Sequence, residues 1–125
     1  MIVSFDFDGV LSRPAWQVVA ALHAHEGDEV YVLSARCPEQ ADRLYQVADL
    51  LDIPRDRVLL TCNRPKWESV AEAGIELHFD DNAEELAQIR ELTDAVTVDI
   101  NSTEAVDYVA GGQYEDLQDD QLDVN

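Results

Sequence analysis

Across the first hundred residues, short apolar β-rich runs alternate with helix-length amphipathic segments, and that alternation restricts the possible folds more than any other feature. The runs are Ile2–Phe7, Val30–Leu33, Val58–Leu60, Ile75–Phe79 and Ala95–Ile100; between them lie Pro14–His25, Pro38–Leu51, Pro65–Ala73 and Asn82–Leu92. Trp16, Val19, Ala20 and Leu22 recur at helical spacing in the first segment, and Leu44, Tyr45, Val47, Ala48 and Leu51 do so in the second. Gly74 is placed to stop the third. Strands and helices alternating in this way predict an α/β fold, a doubly wound and mainly parallel five-stranded sheet with helices on both faces. The connections are too short to hold a second domain, so 1–112 reads as one domain. Asn101 with Glu104 resembles a capping box opening a last short helix, which Gly111-Gly112 ends. Residues 113–125, with five acids and few apolar anchors, are expected to form a flexible acidic tail.

In an open parallel sheet, ligands bind beyond the carboxyl ends of the strands. The first strand delivers Asp6-Phe7-Asp8-Gly9-Val10 there, the second Ser34-Ala35-Arg36, the third Thr61 to Lys66, and the fourth Asp80-Asp81-Asn82. Acids, hydroxyls and bases therefore converge on one edge. Asp6, Asp8, Asp80 and Asp81 would repel one another unless something positive sat between them, and they are the hard oxygen donors that magnesium accepts.

These residues resemble the haloacid-dehalogenase-like hydrolases. Phe5-Asp6-Phe7-Asp8-Gly9-Val10-Leu11 is similar to the family's Asp-x-Asp motif after an apolar strand. Ser34, Lys66 and the pair Asp80-Asp81 fall, in order, where the second, third and fourth motifs stand. The resemblance implies a single catalytic domain using a magnesium ion held by Asp6, Asp80, Asp81 and the carbonyl of Asp8. It implies Asp6 as nucleophile, Asp8 as general acid and base, and Ser34 and Lys66 as ligands of the phosphoryl oxygens. An Asp at position 8 separates phosphatases and phosphomutases of the family from its dehalogenating and pump members. Mutases need a cap, but only five residues separate Asp8 from Pro14 and four separate Thr61 from Lys66. The expected activity is phosphomonoester hydrolysis in an open, capless site.

Charge sharpens the expectation. The chain carries 27 acids against eight bases, a formal charge of −19, and seven of the bases are Arg with Lys66 the single Lys. A surface this acidic and this poor in Lys reads as an adaptation to high salt, where screening lengths are short. It excludes nonspecific duplex-DNA binding, which needs a basic patch. Arg13, Arg36 and Arg64 all fall in loops at the expected ligand edge and point to an anionic, phosphorylated substrate. Ser34-Ala35-Arg36 also resembles the second motif of nucleotidases and polynucleotide 3′-phosphatases within the family, which suggests a nucleotide-type substrate. Lys66→Ala is expected to cost activity far more than stability.

Trp16 and Trp67 are expected in the core, and His23, His25 and His78 carry no assigned role. Cys37 and Cys62 form no CxxC pair and read as reduced thiols; with no secretory leader or apolar span, they place the chain in the cytoplasm. Two other classes stay open. A receiver domain has a similar sheet, but needs an Asp after the third strand, where Leu60-Thr61-Cys62 stands, and a Lys after the fifth, where Asp99-Ile100 stands. A magnesium-binding module without turnover is the other.

Overall fold

The computed structural model describes residues 1–102. The proposed last helix and the acidic tail 113–125 lie outside them. Five strands, β1 (Ile2–Phe5), β2 (Glu29–Ser34), β3 (Val58–Leu60), β4 (Leu77–Asp80) and β5 (Val96–Asp99), form one sheet in the order β3-β2-β1-β4-β5. Every pairing is parallel. The helices are α1 (Pro14–His25), α2 (Asp42–Leu50), α3 (Lys66–Ala73) and α4 (Ala83–Leu92).

Alternation along each strand divides the core into two layers. Val3, Phe5, Val30, Val32, Leu77, Phe79 and Val98 pack against Trp16 and Val19 of α1 and Leu44 and Val47 of α2. Phe5 and Phe79, side by side on β1 and β4, stack with ring centroids 4.6 Å apart. On the opposite face Leu33 meets Val70 of α3 and Ile89 of α4, with Trp67 half-buried against them. Trp16 is wholly enclosed, so both tryptophans sit where the apolar pattern puts them. The sheet is doubly wound, and the winding reverses at β1, whose neighbours are β2 and β4. The crevice at that reversal is the standard ligand position for such sheets.

Element boundaries moved in two informative places. The first strand ends at Phe5, because the Asp6 carbonyl accepts the Leu11 N–H (3.1 Å) and the Phe7 carbonyl accepts the Ser12 N–H (2.9 Å), closing a wide turn. The expected helix 38–51 is split into a 3₁₀ turn, Pro38–Gln40, followed by α2. Arg36 Nη1 donates to the Gln40 carbonyl at 3.0 Å, which draws that carbonyl toward the loop after β2. Elsewhere the caps behave as their residue types dictate. Asn82 accepts from the backbone N–H groups of Glu84 and Glu85, and Gly74 takes a left-handed conformation (φ 68°) after α3.

The cysteine expectation is overturned: Cys37 and Cys62 are joined in a disulfide, with Cα atoms 4.2 Å apart. The parallel register of β2 and β3 explains it. Ser34 lies opposite Leu60, and beyond the strands Thr61 N–H donates to the Ser34 carbonyl (2.8 Å) and Asn63 N–H to the Ala35 carbonyl (2.9 Å). The two loops continue the ladder and carry the thiols together. The thiol argument for a reducing compartment falls with this finding. Among the described residues, no helix is long and apolar enough to cross a membrane.

Candidate metal centre

β1 and β4 end side by side, and their terminal acids meet at the switch point. The Asp6 N–H still donates to the Phe79 carbonyl at 2.9 Å, which ties the residue to the sheet even though its strand has ended. Asp80 is the last residue of β4 and fully buried; Asp81, next along, is exposed. Asp6, Asp80 and Asp81 each place a carboxylate oxygen within 4.8 Å of the others.

Lys66 enters this cluster from the first turn of α3, on the opposite side of the sheet from α1. Its Nζ donates to Asp6 Oδ1 at 2.9 Å and to Asp80 Oδ2 at 2.7 Å, and its side chain is only 4% exposed. Glu85 of α4 accepts the Lys66 backbone N–H at 3.1 Å, which anchors the start of α3. Asp80 is held from every side. Oδ1 accepts the backbone N–H groups of Asp81 (2.8 Å) and Asn82 (3.1 Å), while Oδ2 accepts from both Lys66 and His78 Nε2 (2.8 Å).

The electrostatics follow from that geometry. Burial raises Asp6 most, Lys66 pulls it back down, and the Asp80 charge raises it again, leaving it at about 7. Burial would raise Asp80 too, but the hydrogen bonds from His78 and Lys66 and the charge of the Lys66 ammonium hold it well below the usual carboxylate range. Burial and the Asp80 charge push Asp81 upward. Burial would lower Lys66, yet Asp6 and Asp80 outweigh it and keep the ammonium charged. Burial lowers His78, so the ring is neutral. Three carboxylates against one ammonium leave a charge of −2 when all are ionised, which a divalent cation would cancel. All the donors are hard oxygens at a spacing one small ion can bridge, so this residue set fits magnesium.

Of the other residues expected at the site, Ser34 ends β2 fully buried, and its Oγ accepts the Arg36 N–H at 3.1 Å. Asp8 lies in the wide turn after β1, outside the group of three acids, and its carboxylate is paired with Arg36. Nη2 donates to Oδ1 at 2.7 Å and Nε to Oδ2 at 3.1 Å. Arg36 also lies over the Phe7 ring, 5.2 Å from its centroid. Arg13 is half-buried, with Nη1 3.4 Å from the Gly9 carbonyl, and Arg64 is exposed in the turn before α3. The basic rim is thus partly spent on internal partners.

Gly9 has a role that the motif spacing alone does not reveal. Its φ of +81° favours glycine, and a methyl group on its Cα would overlap the Asp81 Oδ2. The glycine lets the turn after β1 close against the acidic pair after β4.

His78 and Ser4 are the functional candidates that sequence reasoning passed over. The signal was present: both interrupt central strands of a parallel sheet, which ordinarily read as continuous apolar runs. His78 stands two residues before Asp80 and therefore on the same face. The Cys37–Cys62 bridge was missed as well, because the two cysteines read as reduced thiols.

No family model, curated protein or solved structure matches this chain.

Proposed function

We propose that this chain is a magnesium-dependent phosphomonoester hydrolase of the haloacid-dehalogenase-like type, working through an aspartyl-phosphate on Asp6. The observation that carries the reading is the Asp6–Lys66–Asp80 arrangement, with Asp81 beside it, at the topological switch point. That arrangement supports the reading because a carboxylate, a cation and a set of hard oxygen donors share one crevice.

In this reading Asp6 attacks phosphorus, the bond from phosphorus to the ester oxygen breaks, and the departing oxygen takes a proton from Asp8. Water then attacks the aspartyl-phosphate, giving a proton to Asp8. The acyl-phosphate P–O bond breaks, which restores Asp6 and releases inorganic phosphate. Ser34 and Lys66 bind the phosphoryl oxygens as their charge redistributes. Magnesium, held by Asp6, Asp80, Asp81 and the Asp8 carbonyl, would offset the repulsion between the carboxylate and the phosphoryl group. Asp8 can act as an acid only when Arg36 gives up one of its oxygens and Asp8 takes on a proton. An arriving phosphoryl group, itself an anion, offers the guanidinium an alternative partner.

The Asp8–Arg36 pair also favours a second reading, a magnesium-binding domain in which Asp8 stays locked and no turnover occurs. One experiment separates the two: hydrolysis of an aryl phosphate at molar salt, with and without magnesium. The hydrolase reading expects activity in the wild type that depends on magnesium and vanishes in Asp6→Asn. Equal inactivity of two folded, magnesium-loaded proteins would sink it. Mononucleotides, 3′-phosphorylated oligonucleotides and sugar phosphates, compared in the same assay, test the nucleotide-type substrate suggested by Ser34-Ala35-Arg36.

A further inference from the structure

The mechanism leaves two fully buried polar side chains without a task. His78 sits in the middle of β4 with no exposed surface, and Ser4, its cross-strand partner on β1, is equally enclosed. Two polar side chains in the centre of a parallel sheet are costly unless their hydrogen bonds are complete. Here they are complete in one particular way. His78 Nδ1 lies 2.7 Å from Ser4 Oγ, and Nε2 lies 2.8 Å from Asp80 Oδ2.

An ionised carboxylate has no hydrogen to give, so Nε2 must carry the ring proton. In the neutral ring Nδ1 is then an acceptor, and the Ser4 hydroxyl donates to it. The chain Ser4 to His78 to Asp80 thus has a single direction, running from the sheet's interior to the acidic cluster. Its last acceptor is the same Asp80 oxygen that receives Lys66, and Lys66 also holds Asp6. Four donors, two on each oxygen, hold the Asp80 carboxylate in one orientation.

We propose that His78, braced by Ser4, is a positioning residue that fixes the Asp80 carboxylate and, through it, the placement of Lys66 and the magnesium-binding acids. Its effect on turnover rests on the hydrolase reading; its effect on metal binding does not. Outer-shell partners of this kind orient the groups that touch the ion, and their loss costs about 10- to 100-fold in metal affinity or activity.

The test uses the full chain at molar salt and magnesium ion itself as the titrant, followed by calorimetry and by ¹⁵N spectra of the histidine ring. The wild type should show the Nε2–H tautomer at His78. His78→Leu, which keeps an apolar fill for the site, should bind magnesium about 10- to 100-fold more weakly. His78→Gln, which keeps a donor at similar reach, should recover most of that loss. Where turnover is measurable, His78→Leu should lower kcat/KM, because Lys66 and the magnesium-binding acids both depend on the placement of Asp80. If His78→Leu does not fold, Ser4→Ala replaces it, with a mixed tautomer and several-fold weaker magnesium binding expected.

An Nδ1–H ring in the wild type would overturn the proposal. So would wild-type magnesium affinity in folded His78→Leu, or in Ser4→Ala with the tautomer unchanged. A wild type that binds magnesium without hydrolysing phosphate would leave this proposal standing and remove the hydrolase reading. Turnover and metal binding that ignore His78→Leu would do the reverse.

Discussion

Arg36 grips both carboxylate oxygens of Asp8, at 2.7 and 3.1 Å, across 28 residues of sequence. The pair joins the loop after β2 to the turn after β1 and gives Asp8 one orientation, toward the rim. Because Asp8 is 58% exposed there, the pair contributes little to stability, on the order of 0–1 kcal/mol. Arg36→Ala is therefore expected to leave Tm nearly unchanged while lowering kcat about tenfold, with magnesium affinity intact. Arg36→Lys should not restore the rate, since an ammonium cannot reproduce the two-pronged contact. Steady-state kinetics beside thermal melts of both variants check this.

Asp6 gives the metal-free protein a distinctive pH dependence. Its folded-state value of about 7 lies above the ordinary 3.8, so the folded state holds a proton that the unfolded state has lost. The stability contribution of that proton is full below 3.8 and is lost as pH rises through about 7. Asp80 is shifted the other way, so its contribution is present above the ordinary carboxylate value and is lost on acidification. In chelator, the stability of wild type minus that of Asp6→Asn in denaturant melts should decline from about pH 4 to 7 and level off beyond. Magnesium should flatten the slope, because a bound cation favours the ionised carboxylate.

Lys66→Ala is expected to cost activity above all, and the burial of Lys66 adds a cost in stability. The ammonium is almost wholly enclosed between Asp6 and Asp80, so its removal leaves two buried carboxylates facing each other. Breaking such a buried pair typically costs about 3–5 kcal/mol. The variant should unfold at clearly lower denaturant in chelator and regain part of the loss in magnesium. Activity should be lost under both conditions.

Gly9→Ala tests the close approach of the two acidic turns. The left-handed φ of +81° alone costs about 1 kcal/mol with a Cβ, and the overlap with Asp81 adds to it. Asp81 must move, so magnesium binding should weaken by at least tenfold, whereas Gly27→Ala, whose added carbon meets nothing within 4 Å, should leave the metal alone. Calorimetric titration of both variants separates the two effects.

The Cys37–Cys62 bridge closes a loop of 25 residues, for which chain-entropy arguments give about 3 kcal/mol. Reduction, or Cys37→Ser with Cys62→Ser, should lower stability by about that amount. It should also loosen the loop carrying Arg36, one residue from Cys37. Thiol titration of the native and reduced protein, followed by melts, provides the measurement.

Much of the fold was legible in one dimension. Apolar periodicity is a local property, so the runs and amphipathic segments located the five strands and four α-helices of the described residues, with α1 placed at Pro14–His25 as expected. Strand ends were legible to within about two residues, and with them the acids of the candidate centre, Asp6, Asp80 and Asp81. The sequence also placed Lys66 at the start of a helix, where a polar residue before an apolar turn belongs.

Which of those ends would touch was decided only by the tertiary structure. Neighbouring β1 and β4 bring Asp6 to Asp80 and Ser4 to His78, partners separated by 74 residues in each case. Parallel pairing fixes such meetings through register and strand order, and neither is written in any local window. The same holds for the Cys37–Cys62 bridge, which depends on β2 and β3 ending level. It holds for Arg36 as well: the charge count offered it to a substrate, and the packed turn beside it assigned it to Asp8. Residue types determined what chemistry could collect at the sheet edge; long-range pairing decided which groups hold one another there.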